Sequence, residues 1–114
     1  MTRTVSIDTV SNVIAGLLAH GYPKLHHVAR ALGASPRTLQ RRLDQAGLTY
    51  SELVDRCRLD AAREMLEGSD IWVREIAAKL GYADPSSFSR FFVRLTGMAP
   101  RAYRCKQAAG EEVG

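Results

Sequence analysis

Apolar positions along the chain recur at steps of three and four, and the strict alternation of a half-buried strand is missing. Ile7, Val10, Ile14 and Leu17 form a first helical stripe that stops near Gly21 and Pro23. Leu25, Val28, Ala29 and Leu32 form a second, stopped at Gly33. Ser35-Pro36 opens a third: the hydroxyl can accept from an unbonded N–H of the first turn, and the proline ring needs no N–H there. Leu39, Leu43 and Ala46 face inward in it, and Gly47 ends it. A fourth begins at Thr49-x-x-Glu52, a capping-box pattern. Leu53, Cys57, Ala61 and Met65 carry it to Gly68, with Val54 and Leu66 beside them. Its about 19 residues span roughly 28 Å at 1.5 Å per residue. A fifth holds Val73, Ile76, Ala77 and Leu80 and ends at Gly81. Asp84-Pro85 starts a sixth, whose inner stripe is Phe88, Phe92 and Leu95 and whose outer face is Ser86, Ser89, Arg90 and Val93. Pro100 starts a short seventh with Ala102 and Tyr103, and the last seven residues, AAGEEVG, carry no stripe. The class is all-α, with seven helices.

Two of these segments are copies of one another. VARALGASPRTLQRRL (28–43) and IAAKLGYADPSSFSRFF (76–92) align with one extra residue in the second turn. Val28 answers Ile76, Ala29 answers Ala77, Gly33 answers Gly81, and Pro36 answers Pro85. Leu39 answers Phe88, Arg41 answers Arg90, and Leu43 answers Phe92. GLTYSEL (47–53) echoes GMAPRAY (97–103) as well. Duplication of one helix–turn–helix unit accounts for all of it.

Composition narrows the class of function. The chain has 114 residues, 46% of them hydrophobic, enough for one modest core or two very small ones. No apolar run approaches the roughly 18 residues of a membrane span, and no leader pattern opens the chain. Cys57 lies on an apolar stripe far from Cys105, which favours a reduced, buried thiol over a disulfide or a metal ligand. These features describe a soluble cytoplasmic protein. The net charge of +4 is unevenly spread. Residues 71–107 hold seven basic and two acidic side chains, whereas residues 48–70 hold three and six. Basic blocks on either side of an acidic middle suit two anionic contacts, although solvated charge alone would look the same.

A helix–turn–helix fixes two short helices so that the second can enter a major groove. Ala29 and Ala77 allow close helix approach, and Gly33 and Gly81 can take the positive φ that ends the first helix. In the first unit, Arg37, Gln40, Arg41 and Asp44 stand opposite Leu39 and Leu43. Arg and Gln can bond bidentately to guanine and adenine edges, which makes this a plausible reading head. On a single isolated helix, a merely solvated face would be the better account; the second copy argues against it. Ser86, Ser87 and Ser89 serve in part as helix-start chemistry, and Arg42 suits phosphate better than a base. Trp72 reads as a packing residue at the start of its helix, with a contact surface the lesser alternative. Phe88, Phe91 and Phe92 read as core. His26-His27 points two ways on a helix and has no third ligand nearby, so no metal is expected. No phosphate-binding glycine loop or nucleophile–His–acid arrangement is visible, so no catalytic residue and no cofactor is assigned.

The stretch REIAAKLGYADPSSFSRFFVRLTGMAPRAYR closely resembles the DNA-binding domain signature of the AraC/XylS transcription regulators, and VARALGASPRTLQRRL resembles that family's weaker copy. The resemblance covers about Leu25 to Arg104. It implies an N-terminal helix–turn–helix subdomain over 6–47, a linker helix over 49–67 and a C-terminal helix–turn–helix subdomain over 69–107; the stripe-free residues 108–114 are expected to be a flexible tail. The resemblance further implies two recognition helices in successive major-groove segments of double-stranded DNA. Carried over by position, Arg37, Gln40 and Arg41 are the base readers of the first unit. Ser86, Ser87, Ser89 and Arg90 are the matching positions of the second, where small serines imply more phosphate and water contact than base discrimination. Thr38, Arg42, Arg94, Arg101, Arg104 and Lys106 are the phosphate-contact candidates. Trp72 departs from the family pattern, which more often has a small or polar residue there. Family members usually carry a preceding effector-binding or dimerising domain, so the chain reads as the C-terminal domain of a longer regulator that also meets RNA polymerase, with a stand-alone regulator as the alternative. The competing expectation is a protein-interaction module whose basic face binds an acidic partner such as a polymerase subunit.

Overall fold

The structure is a computed structural model that describes residues 6–113, with side chains described through residue 108. It contains α1 (Ile7–Leu17), a 3-10 turn (Leu18–His20), α2 (Leu25–Ala31), α3 (Pro36–Gln45), α4 (Tyr50–Gly68), α5 (Val73–Lys79), α6 (Pro85–Thr96) and α7 (Pro100–Val113). No strand occurs among the described residues. The chain divides into two compact units, Met1–Arg58 and Leu59–Gly114, and the division falls inside α4.

The first unit has an aliphatic core. Val10, Ile14, Leu18, Val28, Leu39, Leu43, Leu53 and Val54 are almost wholly removed from water. The thiol of buried Cys57 points to the Ser11 carbonyl at 3.8 Å. Tyr50 donates its hydroxyl to the Pro23 carbonyl, and burial pushes its phenol well above the usual tyrosine range. Arg58 is the buried charge of this unit; its guanidinium lies 5.4 Å from the Tyr22 ring centroid. Periodicity gave no sign of it.

The second unit replaces aliphatic contacts by aromatic ones. Phe88, Phe91 and Phe92 are buried beside Ile76, Ala77 and Leu80. Tyr82 lies 5.6 Å from both Phe88 and Phe91, and Tyr103 meets Phe92 edge-on at 5.3 Å. Tyr103 also donates to Glu67 at 2.7 Å, pinning α7 to the last turn of α4.

Several expectations need correction. Leu95, expected on the inner stripe of α6, is exposed, whereas Phe91 is buried with Phe88 and Phe92 as expected. In angle Leu95 lies between Phe91 and Phe92, so the rotation of the helix was right; burial there depends on how far the covering helices reach along it. Ala46 is exposed for a related reason, since it caps α3 rather than continuing it. On α4 the deeply buried alanine is Ala62, with Leu66, while Ala61 and Met65 are half-buried. The short seventh helix is in fact 14 residues long, because alanines and long side chains sustain helix without a stripe. Its backbone continues as helix through 108–113, where a flexible tail over 108–114 is expected from the missing stripe; Gly114 and the side chains of 109–113 lie outside the described residues.

Candidate nucleic-acid interface

Both helix–turn–helix units are built by the same local rules. At the end of α2, the Gly33 N–H bonds to the Arg30 carbonyl at 3.0 Å and the Ala34 N–H to the Ala29 carbonyl at 2.9 Å. At the end of α5, the Gly81 N–H bonds to Ala78 at 3.1 Å and the Tyr82 N–H to Ala77 at 3.0 Å. This paired closure needs a left-handed residue, and the glycines supply it with φ of 68° and 82°. Ala29 and Ala77 are buried beneath the turns. The two copies then diverge by the one residue that the alignment inserts, and converge again at the cap. Ser35 accepts from the Thr38 N–H at 3.1 Å, and Asp84 accepts from the Ser87 N–H at 2.8 Å. Each cap is extended and followed by proline at the helix start. That Ser87 bond is the main force holding the Asp84 carboxyl below its usual range; the Ser87 hydroxyl and the Arg90 charge add to it.

The outer faces follow from the buried ones. With Leu39 and Leu43 wholly inward, Arg37, Arg41 and Asp44 are exposed on α3 and Gln40 is half-exposed. Gln40 donates its amide to the Asp44 carboxylate at 3.1 Å, which lays the side chain along this face. Thr38 is exposed, but its hydroxyl accepts from Ser35 at 2.9 Å as part of the cap. Arg42 lies to the side, half-buried. On α6, Ser86 and Arg90 are exposed and Ser89 is half-exposed. Ser87 belongs to the cap: its hydroxyl donates to Asp84 at 3.2 Å and accepts from Arg90 at 3.3 Å. Arg94, Arg101 and Lys106 are exposed, with the Arg94 guanidinium 5.8 Å from the Phe91 ring centroid.

Arg104 has a different employment from the one expected. Its Nε donates to the Leu66 carbonyl at 3.1 Å, one terminal nitrogen to Ile71 at 2.7 Å and the other to Met65 at 3.4 Å. Those carbonyls belong to the end of α4 and the segment after it, where a cation also opposes the negative end of the helix dipole. Arg104 is thus a cap supplied from α7, with its guanidinium nitrogens engaged by backbone carbonyls.

Trp72 corrects the other way. It is 59% exposed, and the Arg74 guanidinium lies over its ring at 4.1 Å. Four residues before Ile76, it would face inward on a continuous helix, but it is the extended cap of α5, where helical periodicity does not apply. Arg74 went unnoticed because its spacing is that of any solvated charge. His26 and His27 pack their rings at 4.1 Å, and no cluster of three potential metal ligands occurs among the described residues.

Known proteins share both the sequence and the architecture. Residues 28–106 match the helix-turn-helix domain family. The ornithine utilization regulator of Pseudomonas aeruginosa is 39% identical over 83 residues, which are 73% of this chain and 24% of that protein. The chain thus spans about a quarter of the length of the curated relatives it matches. Among solved structures, a DNA-binding transcriptional dual regulator from Escherichia coli K-12 superposes with a TM-score of 0.82 at 27% identity, covering 96% of this chain and 98% of that one. The DNA-binding domain of AdpA, solved in complex with a target DNA, gives a TM-score of 0.72 at 28% identity, covering 92% and 97%. Duplicated turns, matched caps and these likenesses agree: the chain belongs to the helix-turn-helix domain family of AraC/XylS-type, DNA-binding transcription regulators.

Proposed function

We propose that this chain binds double-stranded DNA sequence-specifically through α3 and α6, each entering a major groove, and so directs transcription control by a longer regulator. The observation that carries the reading is the duplicated helix–turn–helix, capped at the equivalent position in each copy, with a polar, cationic face on the second helix of each. Arg37, Gln40 and Arg41 read base edges, with Asp44 orienting Gln40. Ser86, Ser89 and Arg90 make the lighter contacts of the second unit, where Ser87 acts through the cap. Thr38, Arg42, Arg94, Arg101 and Lys106 meet phosphates. The functional division follows the repeat, with reading units over 6–47 and 69–107 and a connecting helix over 49–67. In the whole regulator, which acts in the cytoplasm, effector sensing belongs to another domain and RNA polymerase is the further partner.

Selection of binding sites from random duplex DNA tests the reading. A single enriched motif is the expected result. With about 5–8 phosphates neutralised, log affinity for that site should fall against log salt with a slope of roughly −4 to −7. No enrichment together with a slope near zero would overturn it in favour of an acidic protein partner.

A further inference from the structure

Beside the outer face of α6, and sharing Ser89 with it, the second unit holds an open groove of about 700 Å³, between the start of α5, the first turns of α6 and the start of α7. Trp72, Arg74, Arg101 and Arg104 line it, together with Pro85 and Ser89 of α6. Three guanidiniums and no carboxylate are among its lining residues. The groove therefore combines an exposed indole with a positive rim, and it is continuous with the outer face of α6. We propose that it seats the sugar–phosphate backbone of duplex DNA beside the segment that α6 faces, with Trp72 packed on deoxyribose and Arg74 and Arg101 on the flanking phosphates. The inference rests on the DNA-binding reading above and adds Trp72 and Arg74 to the interface.

The chemistry of the pair favours this occupant. Indole offers a broad apolar face to a sugar and one N–H to a phosphate oxygen. Arg74, stacked at 4.1 Å, is already ordered, so less side-chain freedom is lost when its planar fork meets a phosphate. Contacts of this kind position a protein on DNA and carry no sequence information. They supply what the small serines of α6 lack. The second unit would then hold the duplex chiefly by its backbone, leaving most of the base discrimination to α3.

Trp72 is the only tryptophan of the chain, so its fluorescence reports on this groove alone. Acrylamide quenching of the full chain should fall several-fold once it is saturated with its selected duplex. Trp72→Ala and Arg74→Ala should each weaken binding about 5–10-fold for all duplexes alike, and Arg74→Ala should reduce the salt slope by about 1. Trp72→Phe, which keeps an apolar face, should recover part of the loss. Both side chains are exposed, so thermal melts of the variants should match wild type. If mobility shifts show a complex while quenching is unchanged and the alanine variants bind as wild type does, the groove is not a backbone seat and the DNA-binding reading stands. If no duplex is bound at all, both fall together.

Discussion

Arg41 and Leu39 are two residues apart on α3 and face opposite ways. Arg41 is exposed and Leu39 is wholly buried, so truncating them tests reading and folding separately. Arg41→Ala and Gln40→Ala should leave thermal stability nearly unchanged. Each should cost about 1–3 kcal/mol of affinity for the selected site and relax preference at one or two base pairs, as measured by competition against single-base variants. Leu39→Ala should instead lower stability by roughly 2–5 kcal/mol and weaken binding to all sequences together. Wild-type discrimination in both outer-face variants would remove α3 as the reader. Asp84 gives a prediction in pH. Its folded carboxyl titrates below its ordinary value, chiefly because it accepts the Ser87 N–H, so the unfolded chain takes up the proton first as pH falls. The stabilisation is complete above the ordinary aspartate range and is lost as pH drops through the folded value. Melts from neutral to strongly acid pH should show wild type ahead of Asp84→Asn at neutrality and level with it in acid. A gap that stays constant with pH would mean that the ionised cap contributes nothing.

At the scale of the element, α4 ends because other parts of the chain end it. Ser69 donates to the Met65 carbonyl at 2.7 Å, and Arg104 brings three donors from α7. Charge-assisted hydrogen bonds of this kind are worth more than neutral ones, and losing them leaves half-buried carbonyls unsatisfied. Arg104→Met should therefore lower stability by about 1–3 kcal/mol in denaturant melts. The salt slope of DNA binding should not move, whereas loss of a phosphate contact would reduce it by about 1. A stable Arg104→Met protein with a reduced slope would return Arg104 to the phosphate contacts. The turns offer a matched pair of tests. Gly33 and Gly81 sit at positive φ, and the alanine penalty there is about 1–2 kcal/mol. Gly33→Ala and Gly81→Ala should destabilise to similar extents, since the bonds around the two turns are the same.

For the whole molecule, duplication is the central fact. On the proposed function, two units with equivalent second helices would engage two stretches of one duplex without a second protein subunit. The isolated chain should thus bind its selected site as a monomer and protect two separated segments from cleavage. Inserting about 5 bp between those segments turns one half-site to the opposite side of the helix, which repeats every 10–10.5 bp. That insertion should abolish tight binding, with affinity falling to that of one unit alone. Unchanged affinity would show that one helix–turn–helix does all the work. The units also differ in composition, aliphatic in the first and aromatic in the second, although the same repeat positions are buried. Leu39 and Leu43 answer Phe88 and Phe92, so the duplicated architecture tolerates a larger side chain where the surrounding helices leave room.

Local physics made most of this legible from sequence. Helix number, both turns, the Ser35 and Asp84 caps and the outer faces of α3 and α6 depend on residues at most seven positions apart, so spacing alone determined them. Tertiary structure decided what lies at helix ends and what arrives from far along the chain. Leu95 and Ala46 have inward angles yet are exposed, because burial also requires a neighbour at that height along the helix. Trp72, expected to pack at the start of its helix, is exposed because a cap residue is extended and escapes the 3.6-residue period. Arg104 looked like any basic residue near a recognition helix; its partners lie 33 to 39 positions earlier, and only the folded chain brings their carbonyls to it.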